Sequence, residues 1–243
     1  MSLRLTPDLE VFVLTGAGVS AESGVATFRD ANGLWENHRV EEVATPEAFA
    51  ADPRLVWRFY GQRRAQALTV APNPAHRALA ALEARLGERC FLCTQNVDGL
   101  HEAAGSVRVL HMHGELMKSR CSDPACPTAP FVDTRADLAD QAELPRCTCG
   151  ALQRPHIVWF GEVPFEMHRI KRQVQRADVF LCVGSSGVVY PAAGLVGEMQ
   201  HRRSMGERVR TIYVGLEAPA NASQFDEVHT GKAGELLPGL LAA

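Results

Sequence analysis

Polar side chains that could bind a ligand or move protons are concentrated in one segment, Thr94-Gln95-Asn96-Val97-Asp98-Gly99-Leu100-His101. Its amides, carboxylate and imidazole directly follow the apolar run 90–93, which predicts a buried strand. Polar groups are costly to bury unless they are hydrogen-bonded, and α/β proteins place ligand sites at the carboxyl ends of core strands. The segment is therefore a candidate site, and a polar turn that satisfies its own backbone is the alternative.

A second candidate follows the apolar run 11–14, where Gly16, Gly18 and Ala21 match the spacing G-x-G-x-x-G/A. In that pattern the glycines allow a tight turn and a close approach of the backbone to a pyrophosphate, and free amides at a helix start favour phosphate. No clear acidic partner for a ribose follows about 20 residues later. The pattern thus differs from that of a plain dehydrogenase, and a glycine turn without a ligand is the alternative.

Residues 27–35 predict a long loop of small residues that also contains Phe28, Arg29 and Trp35. Such a loop could close over a bound dinucleotide, with Phe28 excluding water from a reactive centre. An ordinary surface loop is the alternative.

Strand-like and helix-like stretches alternate along the chain and must position these segments. Short apolar runs lie at 11–14, 90–93, 107–110, 179–183 and 211–214, and helical patterns lie at 55–68 and 74–86. This alternation predicts an α/β fold with a mostly parallel sheet and helices on both faces. The interval 121–149 is Pro-rich and lacks a sustained apolar period, so we expect a small inserted module there.

Bulk properties narrow the class of protein. A chain of 243 residues can form one large α/β domain with a small insertion. The net charge is -3 and no run of like charges stands out, which argues against nucleic-acid binding. No apolar stretch reaches the length of a membrane span, and the N-terminus lacks a basic region followed by an apolar one. We expect a cytoplasmic protein that binds neither nucleic acid nor membrane.

Four of the seven cysteines form two close pairs, Cys121-x4-Cys126 and Cys147-x-Cys149. In a cytosolic chain this pattern favours a metal over disulfides. Four thiolates suffice for one closed, structural Zn²⁺ site, and a module with little core needs such a crosslink. A zinc-free module with reduced cysteines is the alternative. The other three, Cys90, Cys93 and Cys182, lie in predicted strands and are interpreted as core thiols.

Five motifs occur in an order that closely resembles the sirtuins, the NAD-dependent protein-lysine deacylases, and most of all their bacterial, desuccinylase-type subgroup. The motifs are Gly16-Ala17-Gly18-Val19-Ser20, Thr27-Phe28-Arg29, Thr94 to His101, His113-Gly114 and Val158-Trp159-Phe160-Gly161-Glu162. The resemblance spans Val11 to Leu237. It implies one catalytic domain, with a Rossmann-like large domain at about 1–35, 76–118 and 155–243. A helical insertion at about 36–75 and a small zinc module at about 119–154 complete it.

The resemblance identifies His113 as the catalytic histidine. An imidazole titrates near neutrality, so it can accept a proton from a ribose hydroxyl at physiological pH. His111 is the competing residue by type alone, because in an extended segment it would point the same way. We interpret His111 and His101 as structural, and only the alignment with the family separates His111 from His113.

NAD contacts are likewise implied by the resemblance. Asn96 and Asp98 match positions that hold the nicotinamide carboxamide, and Gln95 matches one near the nicotinamide ribose. Gly215 stands where the family usually has Asn, which puts a side-chain contact to the adenine ribose in doubt there. The full set is Gly16, Ala17, Gly18, Ser20, Glu22, Thr27, Phe28, Arg29, Trp35, Gln95, Asn96, Val97, Asp98, His113, Gly184, Ser185, Ser186, Gly215, Leu216, Glu217 and Ala233.

Substrate residues are also implied. Tyr60 and Arg63 share one face of a predicted helix and together could bind a carboxylate. By spacing alone they would be a solvated surface pair. They resemble the Tyr-x-x-Arg feature of sirtuins that remove succinyl, malonyl or glutaryl groups, and Ala44 matches a small residue that leaves room for such chains. The acylated-lysine peptide would add as a strand along Val158, Trp159, Phe160, Gly161 and Glu162.

The implied reaction consumes NAD and yields free lysine, nicotinamide and 2′-O-acyl-ADP-ribose. The acyl oxygen would attack the ribose carbon that bears nicotinamide, and His113 would accept a proton from ribose. Two alternatives stay open at this point. One is protein ADP-ribosylation, and the other is a non-catalytic module that senses NAD or ADP-ribose.

Overall fold

A computed structural model describes residues 3–25, 34–35 and 38–242, without the side chains of 34–35. The strands of this part are, in chain order, β1 (Val11–Thr15), β2 (Leu34–Trp35), β3 (His38–Arg39), β4 (Cys90–Thr94), β5 (Val109–His111), β6 (Gly114–Cys121), β7 (Phe131–Val132), β8 (Gln153–Ile157), β9 (Val179–Val183), β10 (Arg210–Gly215) and β11 (Glu227–Thr230). The α-helices are α1 (Val40–Val43), α2 (Pro46–Ala51), α3 (Pro53–Ala67), α4 (Pro74–Leu86), α5 (Leu100–Ala103), α6 (Met167–Arg176), α7 (Leu195–Ser204) and α8 (Ala233–Leu240).

The large sheet has six strands in the order β11-β10-β9-β1-β4-β5, and every neighbouring pair is parallel. The predicted α/β fold is confirmed. The expected strand at 179–183 is β9 itself, whereas β5 begins at Val109 and not at 107. Strand β11 was not predicted, since three of the four residues in Glu-Val-His-Thr are polar and the strand lies at the edge of the sheet. Strand order reverses beside β1, and such a switch point opens a crevice at the carboxyl ends of the strands.

Apolar side chains cover both faces of this sheet. On one face Val13, Leu92 and Leu181 pack against α4 and α8. On the other face Phe12, Leu14 and Phe180 pack against α6 and α7. The strands are therefore buried on both sides, which explains why they are continuous apolar runs and not alternating patterns.

A three-stranded antiparallel sheet of order β7-β6-β8 overlaps the interval 121–149, where a small module was expected. Its Leu116 and Ile157 share one core with Trp57 and Tyr60 of α3. The helices before residue 68 and this sheet thus pack as one unit, because neither has enough apolar surface to bury alone.

Two residues of α3 fasten it to the small module. The buried guanidinium of Arg64 donates to the carbonyls of Leu116, Lys118 and Arg135. Gly61 lies against the carbonyl of Ala136, where any Cβ would overlap that oxygen.

None of the helices within residues 3–25 and 38–242 combines the length and apolar character that a membrane crossing needs.

Candidate functional site

The turns after β1 and β9 pack tightly on each other at the carboxyl edge of the large sheet. Gly16 N donates to Val183 O and Gly18 N donates to Gly184 O, each at 2.9 Å. A Cβ on Gly16 would lie 2.9 Å from Gly184 O, and Gly184 itself has a φ of +63°. The glycines are therefore required by the contact between the two turns. Short 3-10 turns at Ala17–Val19 and Ala21–Ser23 follow β1, where the glycine pattern predicted the start of an α-helix.

The hydroxyl of Ser20 is the centre of a buried hydrogen-bond network. It donates to Asp98 Oδ2 and accepts from Asn96 Nδ2, both at 3.0 Å. His76 Nε2 lies 3.4 Å away, and His76 Nδ1 accepts from the backbone of Asn73. His76 therefore carries its proton on Nε2 and donates to Ser20. All three hydrogen-bonding positions of the hydroxyl are then filled, which fixes the orientation of both partners.

Burial sets the charge of the groups around Ser20. It lowers the pKa of His76 to about 4, so this imidazole is neutral at physiological pH. Burial also raises the pKa of Asp98, although its carboxylate accepts from Leu100 N at 3.1 Å and from Ser20. The amide oxygen of Asn96 has no partner among the described residues. It is therefore available to a ligand.

Gln95 joins the turns that follow β4 and β9. Its Nε2 donates to Ser185 Oγ at 3.0 Å and lies 3.4 Å from Thr15 O. The backbone carbonyl oxygen of Gln95 lies 3.1 Å from His113 Nδ1. One residue thus links the glycine turns to the candidate base.

His113 has the protonation state of a general base. A carbonyl can only accept, so Nδ1 of His113 must carry a proton to bond Gln95 O. Burial lowers the pKa of His113, and the contact to Gln95 O only partly offsets this. The ring is therefore neutral at pH 7, and its lone pair lies on Nε2.

His111 has the opposite protonation state. Its Nδ1 lies 3.0 Å from Asn96 O and its Nε2 lies 2.7 Å from Glu102 Oε1, and both oxygens can only accept. Burial opposes a charge on His111, but the hydrogen bond and charge of Glu102 outweigh it and raise the pKa of His111. With a proton on each nitrogen, His111 has no lone pair for a ribose proton.

His101 is buried between β1 and α4. Its Nε2 lies 3.0 Å from Thr15 Oγ1, and its ring packs edge-on against His76. Burial lowers the pKa of His101 to about 3. These contacts agree with the structural role expected for His101.

Gly114 positions His113 against the small sheet. Its φ is +91°, and a Cβ would overlap the carbonyl oxygen of His156. This close contact lets the carbonyl of His113 accept from Val158 N at 2.8 Å. The glycine that follows His113 is therefore required by the crossing of β6 and β8.

The position of Gly215 is filled by a neighbouring side chain. A Cβ on Gly215 would overlap the hydroxyl of Tyr213, which donates to Ser185 O at 3.1 Å. The hydroxyl of Tyr213 therefore occupies the space that an Asn side chain would need at position 215. Beyond it, Leu216 and Glu217 are exposed, and buried Ala233 begins α8.

Glu22 reaches the same end of α8. Its Oε1 accepts from Gly234 N at 2.8 Å, so the second turn after β1 is tied to the start of that helix. Ala17 is half-buried in the first turn after β1, and Ser186 is half-buried next to Ser185.

Tyr60 and Arg63 lie on α3 as predicted, but Tyr60 is fully buried and is not part of a solvated pair. Its hydroxyl oxygen accepts from Trp159 Nε1 at 3.0 Å. The guanidinium of Arg63 lies 4.9 Å from the ring centroid of Phe59. Ala44 is buried, and its carbonyl accepts from Phe160 N at 3.0 Å.

The segment 158–162 is a loop whose backbone amides are mostly occupied. Val158 N donates to His113 O, Trp159 N to a Glu162 carboxylate oxygen and Phe160 N to Ala44 O. Gly161, with a φ of +89°, turns the chain, and its N–H has no acceptor among the described residues. An added peptide strand could therefore pair only with the carbonyls of this loop and with Gly161 N–H.

The four paired cysteines converge. All Sγ atoms of Cys121, Cys126, Cys147 and Cys149 lie within 4.8 Å of one another. The shortest separations are 3.5 Å for Cys121–Cys149 and 3.7 Å for Cys126–Cys147. A tetrahedral Zn²⁺ with sulfur at its usual distance requires about 3.8 Å between sulfurs. The donor set and spacing fit zinc, despite the C-x4-C and C-x-C spacing.

Similarity to known proteins identifies the family of this chain. Residues 16–191 match the Sir2 family. The chain belongs to the Sir2 family. Among similar Sir2 relatives, the NAD-dependent protein deacylase of Pasteurella multocida (strain Pm70) is 49% identical over 240 residues, which cover 98% of this chain and 99% of the relative. That of Vibrio cholerae is 47% identical, covering 97% and 93%.

Solved Sir2 structures share the fold. A complex of a Sir2 homolog with NAD has a TM-score of 0.84 at 41% identity, covering 97% of this chain and 89% of that one. A Sir2 mutant with a deacetylated peptide and 3′-O-acetyl-ADP-ribose has a TM-score of 0.81 at 27% identity, covering 98% and 96%. Both are similar to this chain over nearly its full length.

Some expected site residues of this Sir2 chain cannot be placed. Thr27, Phe28 and Arg29 lie outside the described residues, and so does the side chain of Trp35. Val97 is half-buried, and its carbonyl accepts from Leu116 N at 2.8 Å.

Sequence analysis missed two residues that set the chemistry of the site. His76 lies 56 residues from Ser20 in the chain, and only its place three residues after the N-cap Asn73 distinguishes it. Glu102, which determines the charge of His111, follows the polar segment by one residue. Its spacing of nine residues from His111 carries no sequence signal.

Proposed function

We propose that the chain is an NAD-dependent protein-lysine deacylase that removes acetyl groups and also succinyl, malonyl or glutaryl groups. The observation that carries the proposal is the difference in partners between two histidines: His113 Nδ1 lies against the backbone carbonyl of Gln95, whereas both ring nitrogens of His111 contact acceptor oxygens. A base with its lone pair on Nε2 is what proton removal from ribose requires. The names of the relatives, which are protein deacylases, support the same reaction.

The residues at the carboxyl edge of the sheet suit NAD. Asn96 keeps an amide oxygen and Asp98 a carboxylate in fixed orientation, which complements a carboxamide. Gln95 and Ser185 lie between the glycine turns, where ribose and phosphate groups would be held. When bound, NAD supplies an activated ribose carbon that takes the acyl oxygen as nicotinamide leaves. The remaining contacts proposed from the resemblance are Gly16, Ala17, Gly18, Ser20, Glu22, Thr27, Phe28, Arg29, Trp35, Val97, Gly184, Ser186, Gly215, Leu216, Glu217 and Ala233.

In this proposal His113 Nε2 accepts the ribose hydroxyl proton. The carbonyl of Gln95 keeps the imidazole in the required tautomer throughout, because it bonds only to Nδ1–H. His111 cannot take over this role while its contact with Glu102 keeps a proton on Nε2 of His111. A non-catalytic sensor has no need of a neutral base placed in this way.

Acyl-group choice is assigned to Tyr60 and Arg63. The guanidinium of Arg63 offers two charged, parallel N–H donors, and the phenol of Tyr60 offers a neutral O–H donor. Together they complement a carboxylate at the end of an acyl chain. Burial raises the pKa of Tyr60, so the phenol stays protonated. Ala44 leaves room beside them. A shorter acetyl group fits the same space and is accepted.

The acylated protein segment is proposed to lie along Val158–Glu162, between the large sheet and the small module. The small module holds one structural Zn²⁺ on Cys121, Cys126, Cys147 and Cys149, with no open position for chemistry. We further propose that the protein is cytoplasmic and is one catalytic domain, with a Rossmann-like large domain at about 1–35, 76–118 and 155–243, a helical insertion at about 36–75 and a small zinc module at about 119–154.

The proposal is tested with a panel of acetyl, succinyl, malonyl and glutaryl peptides and NAD, on wild type, Arg63→Met and Arg58→Met. Arg58 is an exposed arginine of the same helix and serves as the matched control. We expect Arg63→Met to lose at least about 10-fold in kcat/KM on the three acidic acyl groups, the loss of a charged hydrogen bond, and far less on acetyl. Equal losses on all four peptides would refute the carboxylate receptor. No acyl removal by wild type would refute the function itself.

A further inference from the structure

The side chain of Trp159 contacts the residue that is proposed to choose the acyl group. Its Nε1 lies 3.0 Å from the phenol oxygen of Tyr60, and both side chains are almost completely buried. An indole N–H can only donate, so the phenol oxygen accepts and its own proton is not used in this contact. Trp159 therefore fixes one side of the hydroxyl as the acceptor side.

This contact restricts the direction of the Tyr60 O–H. Conjugation keeps a phenol O–H bond near the ring plane, where it has two orientations. The indole N–H occupies one of these two directions, so the hydroxyl proton turns to the other. A donor that is oriented before the ligand arrives loses less entropy on binding than one that rotates freely.

The indole is itself held by two charged groups. The guanidinium carbon of Arg154 lies 3.3 Å from the Trp159 ring centroid. Arg154 donates to both carboxylate oxygens of Glu162 at 2.7 and 2.9 Å, and Glu162 accepts from Trp159 N at 2.8 Å. Trp159, Arg154 and Glu162 thus form a closed set of contacts that holds the indole.

We infer that Trp159 is a positioning residue for acyl-group choice, which orients the Tyr60 hydroxyl toward the terminal carboxylate of an acidic acyl-lysine. Arg154 and Glu162 hold the indole in place for this task. The inference rests on the proposed function of Tyr60 and Arg63 in binding that carboxylate. The side chain of Trp159 is buried in the core and contacts Tyr60.

Trp159→Phe removes the N–H donor and keeps an aromatic ring over Arg154. We expect the ratio of kcat/KM for succinyl-lysine to that for acetyl-lysine peptide to fall about five-fold, the worth of one neutral hydrogen bond. The fall should come from KM of the succinyl peptide, because the hydroxyl binds the ground state and the transition state alike.

Trp57→Phe is the matched control. Trp57 lies in the same core, donates from Nε1 to Gln153 O at 3.2 Å and has the Arg64 guanidinium 5.3 Å from its ring centroid. It makes no contact with Tyr60 that resembles that of Trp159. The control should leave the succinyl-to-acetyl ratio unchanged.

A double-mutant cycle with Tyr60→Phe separates positioning from packing. In the Tyr60→Phe background Trp159→Phe should no longer change the ratio, since the hydroxyl is absent. A change of equal size in that background, or an equal effect of Trp159→Phe on both peptides, would overturn the inference. If Tyr60→Phe alone leaves the ratio unchanged, the acidic-acyl proposal fails together with the inference. If Tyr60→Phe lowers the succinyl-to-acetyl ratio but Trp159→Phe does not, only the inference about Trp159 fails.

Discussion

His111 Nε2 lies 2.7 Å from Glu102 Oε1, and this contact separates the chemistry of His111 from that of His113 two residues later. Both imidazoles donate from Nδ1 to a backbone carbonyl, of Asn96 and of Gln95 respectively. Only His111 also faces a carboxylate, which keeps its second nitrogen protonated. Residue type and spacing leave the two histidines equivalent, whereas their hydrogen-bond partners make one a cation and the other a base.

Replacement of the two histidines should therefore have unequal effects. His113→Ala is expected to lower kcat by 10²–10⁴-fold, the usual worth of a general base. His111→Gln should cost less than about 10-fold, since no proton passes through it. Deacylated peptide is quantified by chromatography for both variants. Equal losses would contradict the assignment of the base.

The pH dependence follows from the lowered pKa of His113. The neutral form is the active one, so activity is lost as pH falls through the pKa of His113 in the protein. Because burial places that pKa below 6.5, the acid limb of kcat/KM should lie below pH 6.5. A profile of kcat/KM from about pH 5 to 8 reports this pKa for the free enzyme. An acid limb at or above pH 6.5 would contradict the buried neutral imidazole.

The protein should become less stable as pH decreases, because His76 is buried in its neutral form. Its pKa is about 4 in the folded protein against 6.5 in the unfolded chain, so the unfolded chain binds more protons between these values. The free energy of unfolding then decreases as pH drops from 6.5 toward 4, by up to about 2 kcal/mol at pH 5 from this residue. His76→Gln should show a shallower decrease in urea unfolding at pH 7 and 5.

His168→Gln, at an exposed position of α6, is the control for this experiment. It should retain the pH dependence of wild type. A decrease in the His76 variant as steep as in wild type would mean that the buried imidazole is not the cause.

Two glycines in helices should respond in opposite ways to alanine. Gly61→Ala on α3 would overlap the carbonyl of Ala136 and should destabilise the protein by about 1–3 kcal/mol. Gly197→Ala on α7 meets no atom within 4 Å and should stabilise it by about 0.5–1 kcal/mol. Thermal unfolding of both variants checks this. Equal shifts in one direction would show that α3 does not contact the small module this closely.

The cysteine cluster predicts one zinc ion per chain, measured by atomic absorption. Cys149→Ser should reduce zinc content and expose the module around residues 119–154 to limited proteolysis, since structural zinc contributes folding free energy directly. Cys182→Ala removes a buried thiol of the large sheet and should keep the full zinc content. Full zinc content in the Cys149 variant would contradict the four-thiolate site.

The large sheet could be predicted from sequence because its strands are buried on both faces. Runs such as 179–183 are apolar throughout, and the glycine turn marks the end of β1. The small antiparallel sheet was harder, since β6 alternates buried and half-exposed residues through Lys118 and Arg120. Its partners β7 and β8 flank a segment without regular period.

Sequence reasoning assigned residues to the candidate site but did not indicate their charge states. Asn96, Asp98 and His113 were placed by the resemblance, and the structure brings them to one edge of the sheet. Their charge states depend on His76 and Glu102, which are near in space and carry no signal in sequence. Arg64, which the sequence did not single out, is buried by the fold as a structural anchor for α3.

The central claim is that His113 acts as the base in an NAD-dependent deacylation. Mass spectrometry of the full reaction, with acylated peptide and NAD, tests it most directly. The account predicts equal amounts of deacylated peptide, nicotinamide and acyl-ADP-ribose with wild type, and almost none with His113→Ala. ADP-ribose attached to protein with the peptide still acylated, or undiminished products from the His113 variant, would contradict it.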